Sequence, residues 1–108
     1  MTVKQLGIEL ELKTLAEGED VHLNTCYISD LLSHVLGKCK SGDVWITVQS
    51  SKNMVAVAVM VEAACVILPE GVTAPDDVIE VAKEEGLTLF SSGETAYELA
   101  KKLSKILL

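Results

Sequence analysis

Three short apolar runs, at residues 44–48, 65–68 and 87–90, begin about 21 residues apart, and this rhythm constrains the chain more than any other feature. Each run is rich in Val, Ile or Leu and too short for a helix, so each reads as a buried strand. The gap between one run and the next holds a single helix with its two loops. That is the length of a crossover between parallel strands. Repeated units of this kind predict an α/β fold with a mostly parallel sheet and helices on its faces.

The intervening segments supply the helices. Residues 76–85 place Val78, Ile79, Val81 and Ala82 on one face and stop before Gly86. The last helix carries Ala96, Ala100, Leu103 and Leu107 on one side with Tyr97 beside them, and Ser91 with Glu94 offers it a capping box. Residues 54–61 alternate Val and Ala, a pattern that also fits a strand with residues 50–53 as a hairpin turn. The strands at Val44 and Cys65 need a crossover between them, which favours the helix. A helix apolar all round is expected to be buried in the core or under a second copy of the chain.

The first forty residues are less regular. Thr2 and Gln5 form a capping box for a short helix. Residues 10–15 alternate in polarity and predict a half-buried strand, followed by a turn at residues 17–20. Residues 21–28 favour a second strand. Ser29 or Asp30 then caps a helix with Leu31, Leu32, Val35 and Leu36 inward, ending at Gly37 with Lys38 and Lys40 near its negative end.

Composition narrows the partners. The chain has 108 residues, 49% of them hydrophobic, enough for one domain, 1–108, with its own core. Only 4% are aromatic, so that core is aliphatic. A formal net charge of −7 with scattered lysines excludes nucleic acid and anionic membrane as partners of the molecule as a whole. Lys4, Glu9, Glu11 and Lys13 interrupt the first sixteen residues, unlike a secretory leader. The longest apolar run is far short of the roughly 20 residues that span a bilayer. Three widely spaced cysteines, Cys26, Cys39 and Cys65, suit reduced thiols, so a cytoplasmic location is expected.

Catalytic machinery is not visible. No motif pairs a cysteine with a histidine, no Gly-rich phosphate loop of standard form occurs, and Asp76–Asp77 and Glu84–Glu85 read as solvated helix ends. His22 with Cys26 and His34 with Cys39 have zinc-like spacings, but the short joining segment lacks the finger that structural sites enclose, so no metal or cofactor is expected. Binding is the better prospect. In open α/β sheets ligands sit beyond the carboxyl ends of strands, where helix N-termini present free N–H groups. Thr47, Gln49, Ser50, Ser51, Lys52 and Asn53 occupy that position after the first parallel strand, and Lys52 adds a positive charge suited to a small anionic metabolite or a nucleotide. Ser91 and Ser92 repeat the arrangement after the last strand, where Glu94 repels an anion. Ser and Asn also cap helices with no ligand present, and that reading stands beside the first.

Three blocks also carry a likeness. Cys-Tyr-Ile-Ser-Asp-Leu-Leu-Ser at 26–33, Gly-Asp-Val-Trp-Ile-Thr-Val-Gln at 42–49 and Lys-Asn-Met-Val-Ala-Val-Ala at 52–58 resemble the DRTGG domain family, in particular its short stand-alone members. Ser-Ser-Gly-Glu-Thr-Ala-Tyr-Glu at 91–98 fits as well. The resemblance implies a three-layer α/β/α domain, similar to the N-terminal domain of HPr kinase/phosphorylase, without that enzyme's kinase activity. It implies a regulatory or oligomerising role, and a link to redox or fermentative metabolism. The family's Asp-Arg-Thr-Gly-Gly signature is replaced by Gln49-Ser50-Ser51-Lys52-Asn53 at the matching loop. The expected protein is a non-enzymatic regulatory or ligand-sensing domain, a homodimer that binds a small anionic metabolite or a partner protein. The alternative is a phospho-switch modified at Ser50 or Ser51 by a partner kinase, where the helix dipole would favour the phosphate.

Overall fold

The computed structural model describes residues 1–107. Ten elements follow in order: α1 (Val3–Glu9), β1 (Lys13–Ala16), β2 (Cys26–Ile28), α2 (Leu32–Lys38), β3 (Val44–Ile46), α3 (Lys52–Met60), β4 (Cys65–Leu68), α4 (Asp76–Glu84), β5 (Thr88–Ser91) and α5 (Ala96–Ile106). The strands form one sheet in the order β1-β5-β4-β3-β2. Strands β2 to β5 are parallel, and β1 runs antiparallel to β5 at the far edge.

Strand alternation divides the core into two halves. Trp45, Val66, Leu68 and Leu89 face α2, α3 and α4, while Val44, Ile46, Cys65, Ile67 and Phe90 face α1 and α5. The three crossover helices therefore share one face, and the first and last helices cover the other. This is the expected three-layer α/β/α arrangement with a mostly parallel sheet. Trp45 is the largest fully buried side chain, and its indole Nε1–H donates to the Ser29 carbonyl at 2.9 Å. Truncation of such a residue to Ala costs about 3–5 kcal/mol.

The ambiguous segment around Met54 is helical. Ser51 caps α3, its hydroxyl accepting from the Met54 N–H at 3.3 Å, and Glu62 turns the chain afterwards with φ 58°. The helix is not buried all round, however. Met54, Val55, Val57 and Ala58 are buried, whereas Val59 is exposed and Met60 is 71% exposed. Both ends of α4 agree with expectation, and Gly86 follows it at φ 71°.

Several boundaries differ from the sequence expectation. Residue 10 ends α1 instead of starting a strand: Leu10 is the buried C-cap, Glu11 takes φ 52°, and β1 begins only at Lys13. The second strand shrinks to Cys26–Ile28, with His22 bridged to Thr2. Helix α2 starts later, at Leu32, and passes through Gly37 to Lys38. Only Val35 of its expected inward set is fully buried, and Leu31 and Leu36 are exposed. Strand β3 ends at Ile46, because Asp30 takes the Val48 N–H. The capping box of α5 is Thr95 with Glu98, not Ser91 with Glu94, and its buried residues are Leu99 and Leu103. Tyr97 points to solvent.

Candidate functional site

The loops after β3, β4 and β5 emerge along the carboxyl edge of the sheet, where such folds place ligands. The loop after β3 is braced from below. Thr47 is buried, and its hydroxyl donates to Asp30 Oδ1 at 2.9 Å. The Val48 N–H donates to the same oxygen at 2.9 Å. The Gln49 N–H donates to Thr47 Oγ1 at 3.1 Å, and Gln49 Nε2 donates to the Asp30 carbonyl at 2.8 Å. Asp30 thus holds the loop from the neighbouring strand's end, although the sequence pattern suggested it as a helix cap.

Above this brace the chain forms an open depression of about 620 Å³, lined by Val48, Gln49, Ser50, Ser51, Lys52, Asn53, Pro75, Asp77 and Val78. Five of the six residues expected after the first parallel strand therefore come together. The sixth, Thr47, positions the loop instead. Ser51 is committed to capping α3, Ser50 is half-buried, and Lys52 and Asn53 are exposed in the first turn.

The second wall was not visible in sequence. It comes from the start of α4, where Pro75 and Val78 are apolar and Asp77 carries charge. Lys52 Nζ lies 3.4 Å from Asp77 Oδ2, with both side chains largely solvated. An exposed pair of this kind is held by less than about 1 kcal/mol, so an incoming anion can compete for the lysine. The α3 N-terminus contributes partial positive charge and has no acid in its first turn. At α4 the corresponding charge is already balanced by Asp76 and Asp77.

Ser91 and Ser92 do not line this depression. Strand β4 separates them from β3. Ser91 is buried in β5, the Ser92 N–H donates to the Leu68 carbonyl at 2.9 Å, and the Ser92 carbonyl accepts from Gly71 at 2.8 Å. Its hydroxyl accepts from the Glu94 N–H at 3.1 Å. These serines knit the last two loops together.

The cysteines are chemically quiet. Burial pushes the Cys26 and Cys39 thiols up to about 11, with the Asp43 carboxylate adding to the shift, and burial raises Cys65 further. None is a thiolate near neutrality. Asp43 itself is buried and accepts from the Lys40 N–H at 2.8 Å, the Asn24 side chain at 3.2 Å and the Thr25 N–H at 3.3 Å. It closes the opposite, amino end of β3. Among the described residues no group of three or more His, Cys, Asp or Glu side chains converges as a metal site would. Among the described residues no helix is long and apolar enough to cross a membrane.

Comparison with known proteins adds three findings. A family model, the DRTGG domain, matches residues 9–106. No curated protein matches the chain. Among solved structures, the chain is similar to the CBS and DRTGG domains of the regulatory region of Clostridium perfringens pyrophosphatase, determined in complex with its activator, diadenosine tetraphosphate. The TM-score is 0.76 at 13% identity, covering 98% of this chain and 47% of that one. The chain thus spans about half of that regulatory region.

Proposed function

This chain belongs to the DRTGG domain family, and from that premise we propose that it is a regulatory, ligand-sensing domain of the cytoplasm that works without catalysis and associates as a homodimer. The depression between the β3–α3 loop and the start of α4 is the proposed sensor. The observation that carries this reading is its composition: an apolar patch of the exposed Val48 and Pro75, floored by the buried Val78, beside a helix N-terminus and Lys52. A nucleotide presents the matching pair of surfaces, a flat base and a phosphate. The phosphate would take Lys52 from Asp77, and the base would rest on the apolar wall.

The regulatory region of the similar pyrophosphatase responds to an adenine dinucleotide, so adenine nucleotides are the first probes. In a thermal-shift experiment, diadenosine tetraphosphate or ATP should raise the melting temperature of the wild type. Lys52→Ala with Asn53→Ala should remove that rise while leaving the ligand-free melt nearly unchanged. Asp77→Asn should strengthen binding about threefold, because a carboxylate about 6 Å from a phosphate in water opposes it by about 0.7 kcal/mol. Equal shifts in wild type and double variant would remove this depression from consideration.

A further inference from the structure

The proposed function includes association of two copies, and the inference below rests on that part of it. We propose that β2 is the dimer surface, pairing antiparallel with β2 of a second copy to merge two five-stranded sheets into one.

The two edges of this sheet differ in a way that needs an explanation. Edge β1 is guarded. It carries the exposed Lys13, its register slips between Thr14 and Ala16, and Glu11 and Glu17 flank it. Charges and irregular registers are what natural proteins use to keep sheet edges from pairing. Edge β2 has none of these devices. Cys26, Tyr27 and Ile28 pair with β3 in unbroken register, and residues 24–29 contain no charge and no proline. Two exposed aliphatic side chains accompany it, Ile28 in the strand at 48% and Leu31 just beyond it at 55% exposure.

The backbone fixes how a partner would dock. The Val44 N–H donates to the Thr25 carbonyl at 2.7 Å, and Cys26 is in register with Val44. In a parallel ladder this turns Tyr27 toward β3 and aims the N–H and C=O of Cys26 and Ile28 outward. Those four groups are self-complementary about a two-fold axis through Tyr27. Cys26 of one copy would face Ile28 of the other in a hydrogen-bonded pair, twice over, giving four bonds. The exposed Ile28 would be covered by the opposing Cys26, a cross-strand contact of the kind that stabilises sheets.

The two-fold match of the outward Cys26 and Ile28 groups points to a second copy as the occupant, and charge opposes it little. The chain carries −7 overall, so two copies repel one another on average. Residues 21–41 reverse the balance, with the single acid Asp30 against Lys38 and Lys40. Asp30 is exposed, but one of its carboxylate oxygens is engaged by the Thr47 hydroxyl and the Val48 N–H. Two copies meeting edge to edge at β2 therefore bring less like charge together than the balance of the whole chain would.

The test uses the full chain. Light scattering should give a dimer for the wild type. Ile28→Lys should give a monomer with an unchanged circular dichroism spectrum, since that side chain is half-exposed and its backbone groups do not serve β3. At the two-fold axis, Tyr27 of each copy forms a non-hydrogen-bonded pair with Cα atoms about 4.5 Å apart, within disulfide range. In a Cys26→Ser background, Tyr27→Cys should cross-link to a covalent dimer on mild oxidation, and Cys26→Ser alone should not. A monomeric wild type overturns both the surface and the association. A dimer that survives Ile28→Lys, or a Tyr27→Cys protein that stays uncrosslinked, overturns the surface and leaves association by another face. Nucleotide-induced stabilisation measured on Ile28→Lys reports on the depression separately.

Discussion

Replacing Asp30 by Ala tests whether the β3–α3 loop is built from beneath. The change removes the acceptor of two hydrogen bonds, from the Thr47 hydroxyl and the Val48 N–H, both at 2.9 Å. Bonds to a charged acceptor contribute about 1.5–3 kcal/mol each when buried. Asp30 is exposed, so water competes for it and the contribution falls toward the surface range. Thr47 is buried, and its hydroxyl is left without that partner. The net cost expected is about 1–2 kcal/mol, a fall in melting temperature of roughly 5–15 °C for a domain of this size. Asp30→Asn keeps an acceptor oxygen and should cost less than half as much. Urea denaturation gives the stability, and amide hydrogen exchange gives the local effect, with the Val48 amide losing protection before the strands do. An Asp30→Ala protein within about 0.5 kcal/mol of wild type, the range of a neutral surface change, with Val48 still protected, would refute this account of the loop.

Two further predictions concern the scaffold. A Cβ at Gly18 would lie 2.1 Å from the Gly86 carbonyl oxygen and 2.7 Å from the Leu87 carbonyl carbon, both backbone atoms with little room to move. Gly18→Ala should therefore cost at least about 2–3 kcal/mol, read as a lower urea midpoint; an unchanged midpoint would mean the close approach of these segments is wrong. The second concerns pH. The Lys4 N–H holds the Asp20 carboxyl below the usual carboxylate range, and the Thr95 N–H does the same for Glu98. Carboxyls depressed in the folded state stabilise it above their unfolded values of 3.8 and 4.5, and that contribution is lost as pH falls through the folded values. Asp20→Asn with Glu98→Gln should flatten the decline of the urea midpoint between about pH 5 and about pH 2; an unaltered slope would show that neither cap titrates with folding.

The parallel core was legible because its signals are local and repeated. Val44, Cys65 and Leu87 mark strands by spacing, and Gly86 and the Thr2–Gln5 pair mark helix ends by backbone chemistry. Met54 to Met60 was read through topology instead, since Val–Ala alternation fits a strand equally well. The errors fall where a distant partner overrides a local preference. Asp30 looks like a helix cap because nothing in its neighbourhood announces Thr47. Ser91 and Glu94 have capping-box spacing, but β5 claims Ser91 and the box moves to Thr95 and Glu98. Leu10, Leu12 and Thr14 alternate as a strand would, yet the first helix runs on to Leu10 as its buried cap. The loop at residues 47–53 was located by its position after a parallel strand, and five of its six candidate residues line the depression. Its opposite wall, Pro75, Asp77 and Val78, sits about 25 residues away in sequence, and no spacing rule joins it to Lys52.

The central claim is that ligand binds between the start of α3 and the start of α4. A titration of the labelled protein with diadenosine tetraphosphate, followed by amide nuclear magnetic resonance, tests it most directly. The account predicts saturable shifts concentrated at residues 48–53 and 76–78, with the amides of Asp43 and its neighbours at the other end of β3 unmoved. No shifts at saturating nucleotide, or shifts concentrated away from those two segments, would contradict it.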